Sequence, residues 1–131
     1  MIKITSNIIP FNGFVAFTLW PFVFVRKDRQ HQYSWKTENH EDIHGEQQKE
    51  MYIIGAVLTL TMYLVGCGWY SLIAVPLFFW MYWTEWLIKF FIYGNAVAAY
   101  YNISFEREAY DNQDTLSYIE YRKPFAWKKY F

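Results

Sequence analysis

The sequence predicts a mainly α membrane protein. A polar helix runs into a two-helix transmembrane hairpin, a C-terminal amphipathic helix follows, and a short N-terminal β segment precedes them. Three observations carry this expectation. No charged side chain occurs between Glu50 and Glu85, which leaves a 34-residue run from Met51 to Thr84. Gly66-Cys67-Gly68 interrupts that run near its middle. The 131-residue chain is 24% aromatic with 7 Trp, well above ordinary globular usage and suited to a bilayer interface, where Trp and Tyr rings collect.

Residues 1–38 mix β-branched and aromatic residues with breaks at Pro10, Asn12-Gly13 and Pro21. Val15–Leu19 and Phe22–Val25 read as short strands. The apolar stretch Phe14–Val25 has 12 residues and contains Pro21, too short for a helical span. It also reads poorly as a signal peptide, because Arg26, Lys27 and Arg29 follow it without a small-residue cleavage site.

Residues 39–65 read as a helix that becomes the first span. Thr37 or Asn39 is the expected N-cap, with Glu41 and Asp42 favourable in the first turn. No Gly or Pro interrupts Glu46–Ile54, and Glu, Gln, Lys and Met favour helix. A single helix over the uncharged run would be ~50 Å long against a ~30 Å hydrocarbon core. The glycines therefore predict a turn, with one span from about Gln48 to Val65 and a second over 69–93 that Pro76 kinks. Glu85 and Lys89, four apart on the second span, read as an interfacial ion pair near its end. Glu85 as a metal ligand is the lesser alternative.

Residues 104–131 carry an amphipathic helix over Ser104–Arg122, N-capped by Ser104, and a tail with Lys128, Lys129, Trp127 and Tyr130 that suits a membrane surface. The whole reads as one domain. Six Lys/Arg precede the hairpin, six lie at its far end or beyond, and the glycine turn carries none. Positive residues stay cytoplasmic. The expectation is a multi-pass inner-membrane protein with both termini cytoplasmic.

Lysine plus arginine (12) balances aspartate plus glutamate (12). That balance gives no basis for nucleic-acid binding, which needs clustered positive charge. Cys67 is the single cysteine, so an internal disulfide and a Cys-rich zinc ribbon are excluded. In the glycine turn it reads as a small packing residue. A metal site must use His and carboxylates.

His40-Glu41-Asp42-Ile43-His44 supplies such a site, the pattern H-E-x-x-H. Residues four apart share a helix face, so two imidazoles can converge on one Zn2+ ion. Glu41 is then placed to act as general base on a water that the ion acidifies to a pKa of about 7. The plainer alternative is a solvated helix start. A catalytic zinc needs a third protein ligand, and the candidates beyond the hairpin are Glu106 and Glu108. They lie roughly 200° apart on a helix, so only one can face the metal. His31 is a loose extra candidate. Tyr110 and Tyr118 are candidate donors to an oxyanion.

The order H-E-x-x-H, membrane hairpin, then a helix carrying Glu106-Arg107-Glu108-Ala109 resembles the membrane gluzincins. These include the HtpX-type and CAAX-prenyl-type proteases and the metalloprotease domains of BlaR/MecR-type sensors. The resemblance spans residues 20–120. It implies Glu106 as the third ligand, with Tyr110 standing where the family usually has Asp. It also implies an edge strand that pairs with extended substrate. That role falls on Phe22, Phe24 and Val25, with a purely structural strand as the alternative.

The resulting expectation is a zinc metallopeptidase that hydrolyses peptide or protein substrate at the cytoplasmic membrane face, with the lipid bilayer as its other partner. The alternative is a non-catalytic zinc-binding or scaffold membrane protein.

Overall fold

A computed structural model describes residues 1–131. The protein is mainly helical, with a three-stranded sheet at its N-terminus. The strands are β1 (Ile2–Ser6), β2 (Ala16–Leu19) and β3 (Phe22–Arg26), in spatial order β1-β3-β2. β2 and β3 form an antiparallel hairpin that pairs Ala16 with Val25 and Leu19 with Phe22. β1 was not anticipated. It pairs in parallel with the other edge of β3, Ile2 opposite Phe22.

This order corrects the substrate-strand expectation. Phe22, Phe24 and Val25 lie in the central strand, whose two edges are both hydrogen-bonded, so no third strand can pair there. Val25 is also fully buried. The outer strand on the helical side is β2.

Helix α1 runs from Trp35 to Met62. It begins four residues before the expected start, because Ser34 is extended and its Oγ accepts from the Thr37 N–H at 3.5 Å. Asn39, expected as a cap, lies inside α1. Its amide instead donates to the carbonyls of Asn112, Gln113 and Thr115 at 2.9–3.3 Å, satisfying groups that a helix end leaves open.

The chain reverses where the glycines predicted. Gly66 (φ 92°) and Gly68 (φ 54°) adopt backbone conformations that a Cβ disfavours. A 3-10 segment, Gly68–Ala74, then runs back against α1. It packs so closely that a Cβ on Gly55 would sit 2.7 Å from the Ala74 carbonyl oxygen. Helix α2 spans Leu77–Tyr93. Pro76 immediately precedes it instead of kinking it, as fits a residue that lacks a backbone N–H donor.

The stretch Trp35–Ala74, which includes the reversal, is by length and composition apolar enough to cross a membrane. Its most apolar window has a mean hydropathy of 1.8 and is 11% buried. Leu64, Val65, Trp69, Trp83 and Phe91 are all exposed.

Three short helices follow α2, ahead of a 3-10 turn over Ala126–Tyr130. They are α3 (Ala96–Tyr101), α4 (Ser104–Asn112) and α5 (Tyr118–Tyr121). The expected continuous helix over 104–122 therefore stops at Asn112. Ile103, not Ser104, holds the capping position of α4. The Ser104 N–H and Oγ–H donate to Glu85 across the fold at 2.9 and 2.6 Å. A carboxylate from α2 thus caps α4, which answers the metal-ligand alternative for Glu85.

The core lies directly below this junction. Phe105 of α4 is fully buried between Phe78 of α2 and Trp127 of the tail, with ring centroids 4.7 Å from each. Met51 and Ile103 complete the cluster. Burying one such side chain contributes ~1.5–3 kcal/mol. The cluster therefore fixes α4 against α1 and α2 at the residue next to Glu106.

Candidate metal centre

Helix α1 places His40 and His44 one turn apart, both buried, with Nε2 atoms 3.2 Å from each other. Helix α4 brings Glu106 to both. Its Oε2 lies 3.4 Å from His40 Nε2 and its Oε1 lies 3.4 Å from His44 Nε2. Three ligands each ~2.0–2.2 Å from a tetrahedral zinc would stand about 3.3–3.6 Å apart. The two Glu106 contacts fall in that range through different carboxylate oxygens, the imidazole pair at 3.2 Å lies just short of it, and one ligand atom from each residue can be chosen with all three within 4.8 Å of one another. Glu106 is 3% exposed, and its buried Oε2 has no hydrogen-bond partner, an orphan that a cation would satisfy. The group can hold a metal ion, and its nitrogen and carboxylate donors suit zinc.

Electrostatics agree. Burial works against charge on His44, but the Glu106 carboxylate outweighs it and lifts the imidazole to about 9. Burial likewise opposes ionisation of Glu106, yet His44 and His40 hold it well below the usual carboxylate range. In the metal-free site a proton on His44 supplies the positive charge that Glu106 demands.

Gln47 fixes which nitrogen of His44 faces the site. Its Nε2 donates to the Phe105 carbonyl at 3.0 Å and to Glu108 Oε2 at 2.9 Å. Its Oε1 therefore points at His44 Nδ1, 2.8 Å away. Nδ1 must carry the hydrogen, which leaves the Nε2 lone pair for a metal. Tyr82 donates to Glu106 Oε1 at 2.7 Å. His40 has no such support: its Nδ1 is buried without a partner, and the Tyr110 ring packs against it edge-on at 4.6 Å.

Glu108 is fully buried but points elsewhere. Arg122 Nε meets its Oε1 at 2.6 Å, and Tyr118 donates to the same oxygen at 2.9 Å. Arg122 also bonds Glu50, which accepts from the Phe125 N–H and the Trp127 indole at 2.8 and 3.2 Å. Tyr118 thus serves this second network and not the imidazoles. His31 sits in an exposed 3-10 turn beside Gln32. Cys67 lies in the chain reversal.

Glu41 is buried beside the triad, and burial raises its pKa against the opposing pull of His44 and His40. It lines a cavity of about 620 Å³ together with His40, His44 and Glu106. The remaining wall is largely aromatic, with Phe14 and Phe17 from the sheet side and Phe79 and Trp86 from α2. β2 contributes Ala16, Phe17 and Thr18 to the same cavity. Glu41, the His40–His44–Glu106 group, strand β2 and an apolar recess thus share one space.

Sequence reasoning missed Gln47, Tyr82, Arg122 and Thr18. Gln47 alone had a local signal, three residues beyond His44 on the same helix face. Comparison with family models, with curated proteins and with solved structures finds no match to this chain.

Proposed function

We propose that the protein is a membrane-embedded, gluzincin-like zinc metallopeptidase. The observation that carries this reading is the convergence of His40, His44 and Glu106 through contacts of 3.2–3.4 Å, with Glu41 beside them on the wall of the cavity.

Zinc bound by these three residues would supply Lewis acidity and acidify a water to a pKa of about 7. Glu41 takes the proton of the attacking water and returns it to the leaving amine nitrogen. His44, held by Gln47, keeps its Nε2 unprotonated when metal is bound. The aromatic walls keep bulk water from the reacting carbonyl. Extended substrate lies along the outer edge of β2 ahead of the Gln48 contact, where Ala16 lines the cavity.

The two long helices form a membrane hairpin in this reading. The exposed apolar side chains of Ile53, Val57, Leu64, Trp69, Ile73 and Phe91 support lipid contact. The Lys/Arg pattern supports a cytoplasmic site with both termini on that side.

The test is zinc content and peptide cleavage on protein purified in detergent without chelator. Wild type is expected to hold one zinc and to cleave members of a mixed peptide library. Glu41→Gln is expected to retain zinc and lose cleavage. Retained cleavage in that variant, or none in zinc-loaded wild type, rejects the peptidase.

A further inference from the structure

Strand β2 makes direct contact with Glu41. Thr18 is 3% exposed, and its hydroxyl lies 2.8 Å from Glu41 Oε2 and 3.2 Å from the Glu41 backbone carbonyl. The ionised carboxylate is the stronger acceptor of the two. No hydrogen bond engages Glu41 Oε1.

The strand is held firmly at this depth. In the antiparallel hairpin the Arg26 N–H donates to the Val15 carbonyl. By ladder alternation, Val15, Phe17 and Leu19 then face β3, and the backbone groups of Thr18 and Trp20 face outward. Gln48 of α1 meets those outward groups as a neighbouring strand would. Its Nε2 donates to the Thr18 carbonyl, and its Oε1 accepts from the Trp20 N–H, both at 2.8 Å. The amide thereby locks β2 onto α1 one turn beyond His44.

We infer that Thr18 is a positioning residue for Glu41. Its hydroxyl pins Oε2 and leaves Oε1 as the oxygen presented to the cavity. This inference rests on the peptidase reading of the same site. A carboxylate with both oxygens free rotates about its last bond, and a pinned one keeps one oxygen in place for proton transfer. Valine would fill the same buried volume, so the hydroxyl itself is what the contact uses.

Two near-isosteric variants separate the hydroxyl from packing. Thr18→Val removes it and Thr18→Ser keeps it. One readout is kcat and KM on a peptide taken from the library screen. The other is the 13C resonance of the Glu41 carboxyl in zinc-free protein labelled at glutamate Cδ, assigned by its loss in Glu41→Gln. Thr18→Val is expected to lower kcat about tenfold or more with KM within about twofold, to keep full zinc content and to move the Glu41 resonance. Thr18→Ser is expected to stay near wild type in each. Unchanged kcat in Thr18→Val, an equal loss in Thr18→Ser, or an unmoved resonance overturns the inference. Wild-type protein without cleavage counts against the peptidase alone, because the resonance still decides the role of Thr18.

Discussion

Glu106 and Glu108 stand two positions apart on α4 and serve opposite polar centres. Glu106 reaches His40 and His44, 3.4 Å from each, and Glu108 reaches Arg122 at 2.6 Å. Both carboxylates are buried, so each needs its own positive partner. Arg122 provides one, and protonated His44, or a cation held between the imidazoles, would provide the other.

Exchanging the two glutamates for glutamine separates these roles. Glu106→Gln is expected to lose zinc at micromolar concentrations with its fold retained. Glu108→Gln is expected to keep zinc but to unfold at lower temperature. Breaking a buried pair costs about 3–5 kcal/mol, and Arg122 and Glu108 are 4% and 0% exposed at their side chains. Zinc stoichiometry and thermal unfolding of each variant check this. Zinc loss in Glu108→Gln alone would reverse the assignment.

Gln47 would act on a bound metal through His44. Replacement by leucine removes the acceptor at Nδ1, and loss of such outer partners typically weakens metal binding about 10–100-fold. Competition with a chromophoric chelator measures the change. An unaltered affinity would show that the tautomer is set some other way.

Zinc binding is expected to release close to one proton at neutral pH. His44 is raised to about 9 in the metal-free site, so it is protonated at pH 7 and must lose that proton to bind metal. Calorimetric enthalpies in buffers of different ionisation heat give the number.

The same group sets how stability depends on pH without metal. Its folded pKa is raised, so its contribution is complete below its ordinary value of 6.5 and is lost as pH climbs through about 9. Glu106 is depressed, so its contribution is present above its ordinary value of 4.5 and fades only under strong acid. Chelated protein is therefore expected to melt at a lower temperature at pH 9.5 than at pH 6. The reverse order would contradict the ion pair.

Glu85 ties α2 to the helix that carries Glu106. Glu85→Ala strands the Ser104 N–H and hydroxyl, and buried unsatisfied groups cost about 1–3 kcal/mol each. Lower thermal stability together with weaker zinc binding is the expected outcome. Loss of stability with normal zinc affinity would confine Glu85 to the fold.

What the sequence showed was local. H-E-x-x-H fixes two imidazoles on one face because helical spacing alone decides it, and Gly66 and Gly68 mark the reversal because only glycine adopts those angles easily. Relationships between distant segments were less legible. The pairing of β1 with β3 depends on a parallel contact that no adjacent turn announces, so the central strand read as an edge. The choice of Glu106 over Glu108 depends on which helix face meets α1, and that is set by Phe105 in the core. The α4 cap was misassigned to Ser104 because the acceptor comes from Glu85, nineteen residues earlier.

Zinc K-edge X-ray absorption on protein purified without chelator tests the metal centre most directly. The expected spectrum shows two imidazole nitrogens and a carboxylate oxygen at ~2.0–2.2 Å, with the imidazole signature halved in His44→Ala. A zinc-free protein, or a bound ion whose spectrum lacks imidazole, would contradict it.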